Sequence, residues 1–186
     1  MGRALILLLG IVTGMAGVIG PLAADQLDRR LDGLFDQLQT TSSEAEAAIA
    51  QQQIWQIWIE SDDAQVTRLM SAGIQAMAAQ QFAVALATFD RMVRQAPDFA
   101  EGWNKRATVH YLMENYPASV HDIERTLELE PRHFGALSGL GLIYDAIEEP
   151  AAALRSFEAA VAINPHLYGT RQRIDALRKQ LQGRPT

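Results

Sequence analysis

The 186-residue chain contains no cysteine. Disulfide frameworks, thiolate metal sites and cysteine nucleophiles are therefore excluded. Positive charge is in short supply. Lys and Arg number 16 against 22 Asp and Glu, for a net charge of −6. A dedicated nucleic-acid binder needs a basic footprint, so nucleic acid is excluded as the partner. Histidine is scarce too. His110, His121, His133 and His166 stand at no metal-ligand spacing, so neither metal nor cofactor is expected. No phosphate loop, dinucleotide fingerprint or nucleophile elbow occurs. Gly139-Leu140-Gly141 falls inside a helical pattern with no strand before it. Nothing places two carboxylates across a cleft for acid–base work. Together these absences argue against an enzyme. What is present is a globular balance, 48% apolar and 20% charged.

Arg3 is followed by an uncharged run, Ala4–Ala24, which Asp25 ends. Its apolar centre, Ala4–Val12, has the length and polarity of a signal-peptide core, and Ala23-Ala24 offers small residues for cleavage. Leu22 stands where cleavage sites prefer a small residue. The other reading is an uncleaved anchor, because 21 uncharged residues can span a hydrocarbon core of roughly 30 Å. Residues 1–24 are thus read as a signal peptide or membrane anchor. Either role sends the remainder to the periplasm or to the outer face of the inner membrane.

A repeat organises most of the rest. Pro97, Pro131 and Pro165 are 34 residues apart, and a period of this length marks a stacked-repeat fold. Each proline closes a helical pattern with an apolar stripe. Small residues recur at Ala85, Ser119 and Ala153, with Phe89, Ile123 and Phe157 four places later. An upstream helix in each unit carries Leu69, Trp103 or Leu137, then Gly73, Ala107 or Gly141. The turns between paired helices hold Gln80-Gln81, Glu114-Asn115 and Glu148-Glu149.

On these residues the chain resembles the tetratricopeptide repeat family. Residues 66–97, 100–131 and 134–165 fit its pattern. Ala76 and His110 depart from the aromatic place that Tyr144 holds, and the usual turn glycine is absent from all three units. The phrases beginning at Glu101 and at His133 look like those of uncharacterised exported bacterial proteins of this family. The resemblance implies an all-α, right-handed superhelix of three helical hairpins. Residues 25–63 read as a degenerate hairpin covering the open face of the first repeat. Its Ser43 and Glu46 have capping-box spacing, and Trp55 and Trp58 read as packing. Residues 166–186 read as a capping helix and tail, with Ile174, Leu177 and Leu181 on one face and Arg171, Arg173, Arg178 and Lys179 on the other. His110 reads as a packed, hydrogen-bonded imidazole. Arg132-His133 reads as an exposed turn. Asp62-Asp63 and Glu148-Glu149 read as acids at helix starts.

In this family the first helices of successive repeats line a concave groove that takes peptide segments. Carried over, its positions are Met70, Ile74 and Met77 in the first unit. The second supplies Asn104, Lys105, Thr108 and Tyr111, and the third Gly135, Ser138, Gly139 and Leu142. Met70 and Ile74 occupy places where the subfamily that clamps a terminal carboxylate needs polar or cationic groups. Gly135 and Gly139 leave one end bare, open either to a ligand backbone or to a helix of the same chain. Asn104 and Lys105 read as solvent-facing groups able to bond a peptide backbone and an acid. The expected function is non-catalytic binding of an extended, partly apolar, acid-bearing segment of a protein partner. The alternatives are a structural subunit or scaffold that uses the apolar hairpin as its contact, or an accessory that binds a small ligand. Self-association stays open, and a membrane is involved only through residues 1–24.

Overall fold

The computed structural model describes residues 28–182. The leader or anchor at 1–24 lies outside them. The described residues form nine helices and no strand, and none of those helices is long and apolar enough to cross a membrane. Helices α1 (Arg29–Thr40) and α2 (Glu44–Ile59) make an N-terminal hairpin. Three further hairpins follow: α3 (Ala64–Ala78) with α4 (Phe82–Gln95), α5 (Ala100–Leu112) with α6 (Tyr116–Leu129), and α7 (Phe134–Ala146) with α8 (Pro150–Ile163). Helix α9 (Tyr168–Gln182) closes the array.

The helix starts are set by local hydrogen bonds. Asp28, Ser43 and Asp63 cap α1, α2 and α3 through their side-chain oxygens. At α2 the capping box has a relay. Ser43 accepts from the Glu46 N–H, while the Glu46 carboxylate accepts from the Thr41 hydroxyl, which in turn accepts from the Ser43 N–H. The ends of α3, α5 and α7 share one device. The Gln81 N–H donates to the Ala76 carbonyl and the Gln80 N–H to that of Met77. Asn115 and Glu114 repeat this on His110 and Tyr111, as do Glu149 and Glu148 on Tyr144 and Asp145. This pairing requires a left-handed residue, where glycine is usual. Here Gln80, Glu114 and Glu148 take it, at φ of 57°, 58° and 60°.

Packing within each hairpin is a size match. A Cβ at Gly73 would lie 2.4 Å from Phe89 Cζ, and one at Gly141 would lie 2.5 Å from Phe157 Cδ1. Where the second unit carries Ala107 instead, the partner shrinks to Ile123. Ala85, Ser119 and Ala153 are buried between the paired helices, and the Ser119 hydroxyl donates to the Ala107 carbonyl. Helix α9 sets Ile174 and Leu177 on Ala153 and Phe157. Its polar side is not wholly solvated, because Arg173 forks onto the Asp145 carboxylate and Arg178 pairs with Glu158.

The N-terminal hairpin lies elsewhere than the sequence suggests. Leu31, Phe35, Leu38, Ile54, Ile57 and Trp58 form a core that Phe134 of α7 joins, with Ile163 and Leu167 against it. The Gln39 amide donates to the Ala162 and Ile163 carbonyls, Asn164 donates to Gln51, and Arg132 pairs with Asp32. Only Ile59, at the end of α2, joins the apolar cluster of the first repeat. The hairpin therefore closes on the third repeat, with α2 also touching α5 of the second. The physical reason is the bare inner face of α7, which leaves room for an indole.

Candidate peptide-binding groove

The inner-face positions recur at the repeat period, so equivalent residues line up on α3, α5 and α7. Their environments differ sharply. Asn104 is 7% exposed and donates to Glu101 Oε2 at 2.9 Å. Lys105, 22% exposed, sets Nζ 2.7 Å from Glu101 Oε1 and 5.3 Å from the centre of the Trp55 ring. Neither side chain faces solvent as the sequence reading expects. Glu101 lies one turn before both, and its buried carboxylate draws them inward.

Glu101 is the centre of a buried polar cluster. His133, expected in an exposed turn, is fully buried. Its Nδ1 accepts from the Ala136 N–H and so caps α7, which leaves Nε2 to donate to Glu101 Oε2 at 2.9 Å. The cap therefore fixes the tautomer. Burial pushes the Glu101 carboxyl upward, but the Lys105 charge and the His133 hydrogen bond outweigh it and hold its pKa below the ordinary glutamate value. Trp58 stacks on the His133 ring at 4.1 Å, and Trp55 meets Phe134 edge-on at 5.5 Å. A Cβ at Gly135 would lie 2.5 Å from Trp55 Cη2, whereas one at Gly139 would meet only Ile123, at 3.6 Å. The bare end of the groove is thus filled at Gly135 by the chain's own tryptophan. The two tryptophans pack, as their sequence context implies.

The remaining positions divide in two. Met70 is buried and Met77 half-buried in the first repeat's cluster. Tyr111 packs against Tyr116, and Ser138 is half-buried. Ile74, Thr108 and Leu142, equivalent residues one period apart, are exposed, Ile74 at 38% and Leu142 at 44%. Below them, between the end of α2 and the inner face of α3, lies a cleft of about 620 Å³. Its walls are Gln56, Ile59, Glu60, Ser61 and Asp62 on one side and Thr67, Met70, Ser71, Ile74 and Gln75 on the other. The α2 wall is not evident in the sequence, because it exists only through the docking of the hairpin.

Two cations near the groove are held by neighbours. Arg30 pairs with Asp28 and Glu60, and Arg132 with Asp32 and Glu130. His110 is packed, but its Nε2 stands 3.9 Å from Asp122 Oδ2 and its Nδ1 has no partner. It lacks the hydrogen bonds the sequence reading gives it. Asp122 is instead forked by Arg106, which also reaches Asp90. Asp63 caps α3 as expected. Among the described residues no three His, Asp or Glu side chains are grouped to hold a metal ion.

The model of the tetratricopeptide repeat family matches residues 71–116 and 105–167. A TPR repeat-containing protein of Rhizobium etli is 34% identical over 164 residues, covering 88% of this chain and 80% of its own. The chain belongs to the tetratricopeptide repeat family. Solved structures share the fold, among them the following two. The first TPR of Spaghetti (RPAP3) bound to the HSP90 peptide SRMEEVD superposes with a TM-score of 0.62 at 14% identity, over 66% of this chain and 97% of that one. MamA superposes with a TM-score of 0.60 at 20% identity, over 80% of this chain and 84% of its own. The fold is that of a protein-interaction module.

Proposed function

We propose that this chain is a non-catalytic module that binds an extended segment of a protein partner in the part of the groove its own hairpin leaves open. The observation that carries this reading is the cleft between α2 and α3, continued by the exposed row Ile74, Thr108 and Leu142. Asn104, Lys105 and Gly135 then act indirectly, by seating the hairpin that forms one wall. A neighbour of the same fold holds a peptide, which is consistent with the assignment.

The scaffold reading, with the hairpin as contact surface, has less support. Ile54, Ile57 and Trp58 are buried within the chain, and among the described residues Ile49 is the hairpin's one exposed large apolar side chain. The test is capture of partners from periplasmic extract, their identification by mass spectrometry, and titration against Ile74→Asp and Ile49→Asp. Groove binding predicts loss with Ile74→Asp alone. Loss with Ile49→Asp alone would favour the hairpin surface. We place the module in the periplasm or at the outer face of the inner membrane, on the strength of residues 1–24. The intact mass of the isolated protein, starting near Asp25 or at Met1, distinguishes a cleaved leader from an anchor.

A further inference from the structure

We infer that the cleft between α2 and α3 selects a cationic segment, one pairing an aliphatic or aromatic side chain with a neighbouring Lys or Arg. This rests on the groove reading and replaces the acid-bearing segment that the sequence suggests. Lys105 is the cation expected to meet an acid, and it is already paired with buried Glu101 and covered by Trp55. It offers a ligand no uncompensated charge.

The cleft itself has the opposite sign. Its walls carry two carboxylates, Glu60 and Asp62, and among the described residues no Lys, Arg or His. Asp62 is exposed and makes no ion pair among the described residues. Glu60 shares one guanidinium, Arg30, with Asp28. Arg30 therefore compensates one acid of the pair, and Arg68, whose charge acts on the adjoining Asp63, compensates one more, so the rim stays negative. The neighbouring Asp63 is occupied by capping α3 and by accepting from Gln95. Ile59 on one wall and Met70 and Ile74 on the other form the apolar floor where the walls meet, with Ile74 open to solvent. Gln56 and Gln75 stand on opposite walls, where each amide offers a donor and an acceptor to an extended backbone. A segment that lays an apolar side chain on the floor and a cation at the rim matches both features. The chain's net charge of −6 steers such a segment inward at low salt.

A phage-displayed library of random twelve-residue peptides, selected against the purified chain and counter-selected on Ile74→Asn, which removes the apolar contact without adding charge, tests this. The expected result is enrichment of sequences with Lys or Arg beside Leu, Ile or Phe. An enriched peptide, labelled and titrated by fluorescence anisotropy, should bind Asp62→Lys roughly tenfold or more weakly, as loss of a charge-assisted contact implies. It should also weaken as salt rises. Circular dichroism of both variants, altered only at exposed positions, confirms the fold. Enrichment of neutral or acidic peptides that Ile74→Asn abolishes would leave the groove reading standing and overturn the cationic preference. Equal enrichment on wild type and Ile74→Asn would overturn both. A dimer that Ile74→Asn dissociates would put a second copy in the cleft and overturn the inference.

Discussion

Gly135→Ala pits two effects against each other, and the docked hairpin decides the sign. In a helix interior the change favours folding by roughly 0.8–1 kcal/mol. Gly135 sits in the first turn of α7, so the gain there is smaller. Against it stands the indole. The new methyl would lie 2.5 Å from Trp55 Cη2 and 2.9 Å from Cζ2. Trp55 cannot easily withdraw, because Trp58 stands at 5.1 Å and His133 and Phe134 each at 5.5 Å. Forcing a methyl into packed surroundings costs typically ~1–3 kcal/mol. The net expectation is a loss of about 1–2 kcal/mol. For a domain of this size that lowers Tm by roughly 2–8 °C. Gly139→Ala is the internal control. Its methyl meets only Ile123 Cδ1, at an ordinary 3.6 Å, so the propensity gain survives and Tm should rise by about 2–4 °C. Thermal unfolding followed at 222 nm, with Trp55→Leu added to each variant, completes the comparison. In that background the penalty at Gly135 should vanish. A Gly135→Ala protein as stable as Gly139→Ala would show that no indole covers α7.

Glycine at Gln80, Glu114 or Glu148 should stabilise the fold by ~0.5–1 kcal/mol each, because the left-handed strain removed exceeds glycine's added chain entropy; chemical denaturation reads this directly. Glu101 has a depressed folded pKa, so its contribution is complete above the ordinary glutamate value of about 4.3. It is lost as pH falls from there through the lower folded value, and the urea midpoint of Glu101→Gln should fall less steeply over that window. Ala153→Leu overpacks the α7–α8 contact and should cost typically ~1–3 kcal/mol, while Ala118→Leu, at a half-buried site, should be milder in the same melts.

The repeats are legible in the sequence because each hairpin solves the same packing problem within 34 residues. Gly73 with Phe89, Ala107 with Ile123 and Gly141 with Phe157 are complementary in size at fixed spacing. The seat of the N-terminal hairpin is not legible. The stripes through Leu31, Phe35 and Leu38 and through Ile54, Ile57 and Trp58 say that a face is apolar, not what covers it. Two signals point toward the answer. Glu101 precedes Asn104 and Lys105 by three and four residues, a spacing that pairs them on one helix face. Gly135 stands one period after Glu101 and leaves an inner face that only a bulky group from elsewhere can fill. The burial of His133 follows from that docking, because Trp58 reaches it only when α2 is in place. The cleft wall contributed by Gln56, Ile59 and Glu60 has the same origin.

The hairpin's place against the third repeat fills one part of the groove and shapes the part left open. The chain has no native cysteine, so a designed pair reports without background. Gln39 and Ala162 are both exposed, and the Gln39 amide reaches the Ala162 carbonyl at 2.8 Å. Gln39→Cys with Ala162→Cys, treated with a short bismaleimide at low protein concentration, should give an intramolecular cross-link visible as a mobility shift under denaturing conditions. Efficient modification of both cysteines without that cross-link would contradict the placement.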